Sequence, residues 1–152
     1  MNKPLLLLAL LGTTATAAVS FTHGDWQINC DNTHTCRVAG YQTDDGEKAP
    51  VSVLLTRAAG ADTPISGKIS LLTADESPLP DHITFTLDGK NLGELRPDKN
   101  NGEAELNAAQ IEALLTALQA PHADIQFSGG KTQWQLSAAG ASAVFLKWDE
   151  AQ

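Results

Sequence analysis

Gly140-Ala141-Ser142-Ala143 sets a serine between a strand-like run and a helix-like run, where an acyl-transfer nucleophile sits on a sharp elbow. The elbow needs G-x-S-x-G, so that the helix can pack close to its strand. Val144 stands in the second glycine's place, and Ser142 reads as a serine at a helix start. The four histidines, His23, His34, His82 and His122, form no H-x-H or H-x-x-x-H pair, so no local zinc geometry arises. Each falls in an expected loop or turn. Asp98-x-Asn100-x-Gly102 alternates oxygen ligands as a calcium loop does, but its glycine is misplaced and no bidentate glutamate follows. Acidic pairs occur at Asp44-Asp45, Asp75-Glu76 and Asp149-Glu150. Acid–base catalysis asks for two carboxylates about 5 to 9 Å apart in unlike environments. Neighbours in a loop read instead as solvated surface charge. The sequence therefore assigns no catalytic residue, no cofactor and no metal ligand.

Cys30 and Cys36 are the only cysteines. A redox pair usually has C-x-x-C spacing at a helix N-terminus. Here five residues intervene between two strand-like runs, which points to a structural disulfide stapling a hairpin. Closing so small a ring stabilises the fold by roughly 2 kcal/mol. The segments His23-Gly24-Asp25 and Asp31 to Thr35 flank this hairpin. A stapled tip is a reasonable place for a binding loop, and the candidate residues are His23, Asp25, Asp31, Asn32 and His34. Trp26, Trp134 and Trp148 could line a glycan groove, but their periodic positions make them core residues first.

These residues need elements to hold them. Trp26 to Cys30 alternates apolar with polar, and Thr35 to Gln42 is its expected partner across the polar turn Asp31-Asn32-Thr33-His34. Val51 to Arg57 and Gly67 to Thr73 read as strands. Ile83, Phe85 and Leu87 alternate with polar residues up to Asp88-Gly89, a tight-turn signal, with a return strand over Leu92 to Arg96. Ile111, Leu114, Leu115 and Leu118 share one helical face, with Asn107 and Gln110 placed for a capping box and Pro121 as a stop. Ile125 and Phe127, then Trp134 and Leu136, predict a hairpin turning at Gly129-Gly130. Ala141, Val144, Phe145 and Trp148 predict a closing amphipathic helix. About seven short strands and two helices, without βαβ alternation, give a mainly β (α+β) class. The expected architecture is an antiparallel β sandwich or partly open barrel with two packed helices.

The first seventeen residues read as an export signal. Lys3 gives the positive start, Leu5 to Leu11 the apolar core, and Ala15-Thr16-Ala17 the cleavage site. Seven apolar residues are too few for a membrane span, which takes ~20. Residues 18–152 are then one exported β-rich domain, periplasmic in a two-membrane bacterium, with no stable membrane insertion. Loss of Lys3 would take the formal charge from −8 to −9. A sequence pI near 4.7 argues against nucleic acid and against anionic lipid surfaces.

Several segments together resemble a known family. Asp25-Trp26, Cys30-Asp31-Asn32-Thr33, Cys36-Arg37-Val38-Ala39-Gly40-Tyr41-Gln42, Pro50 to Arg57 and Leu136 to Ala143 look like the domain-of-unknown-function 1176 family. The D-W…C…C start and the late L-x-x-x-G-x-x-A stretch are more weakly similar to invasion-associated locus B proteins. Both resemblances imply an exported protein, the second a mainly β, disulfide-bearing one, and neither implies an activity or a catalytic residue. The first family's members usually run to about twice this length, so the chain is either a short stand-alone member or the first half of a longer architecture. The function expected is an exported binding or interaction domain whose partner is an envelope protein or glycan. The alternatives are an envelope hydrolase working through Ser142 or an acidic pair, and an inhibitor of a basic enzyme such as a lysozyme.

Overall fold

The structure, a computed structural model, describes residues 18–43, 48–60 and 62–152. The expected export signal and the Asp44-Asp45 pair lie outside the described residues. Ten strands and two helices follow in the order β1 (Val19–His23), β2 (Trp26–Cys30), β3 (Cys36–Tyr41), β4 (Val51–Arg57), β5 (Ser66–Leu71), β6 (Ile83–Leu87), β7 (Lys90–Leu95), β8 (Glu103–Leu106), α1 (Ala108–Ala117), β9 (Ile125–Gly129), β10 (Thr132–Leu136) and α2 (Ala141–Ala151). They form a six-stranded sheet, ordered β1-β2-β3-β4-β5-β8, and a four-stranded sheet, ordered β10-β9-β6-β7. Every strand pairing is antiparallel. The two sheets make a β sandwich with two helices, and neither closes into a barrel.

Period-two patterning sets which face of each strand goes inward. In the large sheet Trp26, Ile28, Val38, Val53, Leu55, Ile69 and Leu71 are all buried, while Gln27, Asn29, Arg37 and Lys68 point to the other face. The small sheet contributes Ile83, Phe85, Ile125, Phe127, Trp134 and Leu136 to the same core. Phe85 and Phe127 face each other across β6 and β9 with ring centroids 4.7 Å apart. Helix α2 packs on β1, β2 and β3, β10 meets β4, and α1 touches β5, so helices and small sheet share the cover of one face.

The turns follow from residue chemistry. Asp88 and Gly89 both take positive φ (48° and 81°), which is the mirror-image turn that a two-residue hairpin needs. Gly130-Lys131 closes the β9–β10 hairpin, one residue later than expected, because Gly129 still pairs with Thr132. Asn107 caps α1: its side chain accepts from Gln110 N at 2.8 Å, and Gln110 Oε1 accepts from Asn107 N at 2.9 Å. The Gln110 amide then donates to Leu92 O at 3.1 Å, which ties the start of α1 to β7.

Two strands were not expected from the sequence. β1 starts at Val19, where Val19 and Phe21 alternate with Ser20 and Thr22. β8 is only four residues long, carries Glu103 and Glu105, and forms an edge of the large sheet. Charged residues weaken strand propensity and suit an edge, so the pairing with β5 decides this segment.

Candidate functional site

The disulfide stands as expected. Cys30 and Cys36 are directly opposed in the β2–β3 register, with Cα atoms 4.0 Å apart and the sulfurs bonded. The five candidate binding residues divide into two groups. His23 and Asp25 sit at one end of the β1–β2 hairpin, and Asp31, Asn32 and His34 sit past Cys30 at the other. The five-residue strand β2 separates them by about 15 Å.

Asp31 organises the stapled turn. Its carboxylate accepts from Thr33 N at 2.9 Å, Thr33 Oγ1 at 2.6 Å and Thr35 N at 3.1 Å, and meets Arg37 at 3.5 Å. The Thr33 hydroxyl first, with these amides and Arg37, lowers its pKa from 3.8 to about 2. A depressed carboxyl stabilises the fold above its unfolded pKa, and that share is lost as pH falls from about 4 towards 2. We expect a carboxyl-detected NMR titration to place Asp31 near 2. A value at or above 3.8 would mean that the turn is not formed in solution. Asp75, beside Ser77, and Asp81, beside Lys99, are also lowered by their hydrogen-bonding neighbours.

At the other end Asp25 belongs to a backbone clasp. Ser137 Oγ donates to Asp25 Oδ2 at 2.5 Å, Ala139 N donates to Ser137 Oγ at 3.1 Å, and Asp25 N donates to Ala139 O at 3.0 Å. Trp26 Nε1 donates to Ser137 O at 2.7 Å, and Tyr41 O accepts from Ser137 N at 2.9 Å. Gly24 and Gly140 pass so close that a Cβ on Gly140 would lie 1.9 Å from His23 O. The D-W, G-Y and L-S-A-A-G segments are far apart in sequence, yet they meet here and aim the chain from β10 into α2.

That aim places α2 beside α1 and opens a groove between them. It has a volume of about 450 Å³. Arg57 and Ile65 reach it from the β4–β5 side, Leu115 and Gln119 from α1, and Ser142, Phe145, Leu146, Trp148 and Asp149 from α2. A second hollow of about 390 Å³ continues along α1 and shares Arg57, Ile65, Leu115 and Gln119. Leu146 is 66% exposed, the largest exposure among the big apolar side chains of the described residues. Trp148 is buried, and the Arg57 guanidinium stands 5.8 Å from its ring centroid.

Ser142 is exposed in the first turn of α2 and lines this groove. No histidine lines it with Ser142. Asp149 is seven residues along the helix, about 10 Å at 1.5 Å per residue, beyond hydrogen-bond reach of the hydroxyl. Among the described residues no three His, Cys, Asp or Glu side chains gather as a metal site. Trp26, Trp134 and Trp148 are all core residues, and only Trp148 borders the groove.

With this geometry established, comparison with known proteins adds two findings. Residues 20–152 match the model of a family described as protein of unknown function (DUF1176). The chain belongs to the DUF1176 family. Among solved structures, this DUF1176 member is similar to invasion associated protein B from Bartonella henselae. The match has a TM-score of 0.53 at 17% identity and covers 87% of this chain and 96% of that one. At that identity the likeness is one of fold. No curated protein matches the chain.

The groove escaped sequence reasoning because it draws on four separate segments. One signal was available. Leu146 is an apolar residue in α2 that falls outside the inward set Ala141, Val144, Phe145 and Trp148.

Proposed function

We propose that this DUF1176 protein is exported through residues 1–17 and works in the periplasm as a non-catalytic binding module. The α1–α2 groove is its working surface. The observation that carries this reading is the exposed Leu146 beside a half-buried arginine in a hollow of about 450 Å³, a size typical of ligand sites. A reaction would need a partnered nucleophile, and Ser142 has none in the groove.

The test compares wild-type protein with Ser142→Ala and Leu146→Asp. Amide chemical shifts are mapped against fractions of an envelope extract from the source cells, and the same proteins are screened with ester and glycoside substrates. The reading expects shifts at groove residues in wild type and Ser142→Ala, their loss in Leu146→Asp, and no turnover. Turnover that disappears in Ser142→Ala would decide for a hydrolase. Shifts confined to the Asp31–Thr35 turn would move the working surface there.

A further inference from the structure

Three tryptophans lie in the interior, and two have their indole N–H satisfied by backbone. Trp26 Nε1 donates to Ser137 O at 2.7 Å and Trp134 Nε1 to Leu72 O at 2.8 Å. Trp148 is only 4% exposed, and its Nε1–H has no acceptor among the described residues. A buried donor without a partner is uncommon and asks for an explanation. Trp148 is also the tryptophan that borders the groove.

Arg57 lies over the same ring. Its Nε donates to Gln152, and among the described residues no carboxylate comes within 4.0 Å of the guanidinium. Its terminal nitrogens are therefore open to a ligand. The Ser142 hydroxyl supplies a further donor at the groove wall. The Arg57 guanidinium is thus the charged donor of the groove, with Ser142 about 9 Å further along α2 and the Trp148 N–H covered by the protein, while Leu115, Phe145 and Leu146 make the rest apolar. The complement of that pattern is an acceptor head on an apolar tail. A carboxylate offers two coplanar oxygens, which match a guanidinium fork.

We infer that the groove binds an apolar-tailed monocarboxylate of the medium-chain fatty-acid class. The head pairs with Arg57 beside the Trp148 indole, and the tail lies between Leu115 and Leu146. This inference rests on the groove being the working surface. The chain's charge of −8 repels anions in general, so Arg57 must supply the local attraction. Asp149, exposed on the wall, opposes it.

The test is calorimetric titration with sodium decanoate, below its micelle concentration, and with decanol as the uncharged counterpart, each checked by amide shift mapping. Wild-type protein is expected to bind one decanoate per chain at least tenfold more tightly than decanol. Arg57→Gln should remove that preference, and Arg57→Lys should keep part of it. Leu146→Asp should weaken both probes tenfold or more, and Asp149→Asn should tighten decanoate two- to threefold. Equal affinity for the two probes would overturn carboxylate recognition and leave the groove standing. So would failure of both probes while envelope extract still shifts groove amides. If neither probe nor extract shifts them, inference and groove fall together. Circular dichroism of each variant separates lost binding from lost folding.

Discussion

Gly140→Ala is expected to destabilise the protein by about 2 to 6 kcal/mol. Two costs act together. Gly140 has φ 92°, and holding a side-chain-bearing residue in left-handed backbone costs roughly 1–3 kcal/mol. The added methyl would also lie 1.9 Å from His23 O and 2.5 Å from His23 C, both rigid backbone, and overpacking of this kind costs about 1–3 kcal/mol. The loss is large against a typical total of about 5–15 kcal/mol. Gly24→Ala should behave alike, since its Cβ would meet Ala139 O at 2.4 Å. Urea unfolding measures both. A loss under about 1 kcal/mol for Gly140→Ala would mean that the β1–β2 turn does not press on the start of α2.

Trp26→Ala is expected to cost about 3–5 kcal/mol, the usual range for emptying a large aromatic site. Trp26 is fully buried, lies against Gly40 so closely that a Cβ there would come within 2.5 Å of the indole, and meets Phe145 of α2 edge-on at 5.7 Å. Trp26→Phe keeps most of the packing but leaves Ser137 O without its donor, and should cost about 1–3 kcal/mol. The second effect is local. Amide exchange across Ala141 to Trp148 should quicken in Trp26→Ala more than exchange in β6 and β9. Uniform quickening would show that Trp26 supports the core at large and has no special hold on α2.

What the sequence made legible was local. The hairpin staple, the Asn107–Gln110 cap and the Asp88-Gly89 turn each lie within seven residues, and all three form as read. The tryptophans were readable as core because period two and period 3.6 place them on inward faces. β8 was not readable, because E-A-E-L has no strand signature apart from its neighbour β5. The clasp was half visible: its D-W and L-S-A-A-G segments carried the family resemblance, but sequence order gives no hint that Asp25 and Ser137 share a hydrogen bond 112 residues apart. The groove was hidden for the same reason. Arg57 comes to Trp148 only once the large sheet has set the end of β4 near α2.

The central claim is that the α1–α2 groove, held by that clasp, is the surface the protein uses. Photo-reactive residues placed singly at position 146, in the groove, and at position 70, on the outer face of the large sheet, test it most directly. After irradiation of the cells that make the protein, intact-mass spectrometry reads what each position has captured. The account predicts an adduct with the mass of an apolar carboxylate at position 146 and unmodified protein at position 70. Adducts at position 70 with position 146 unmodified would contradict it.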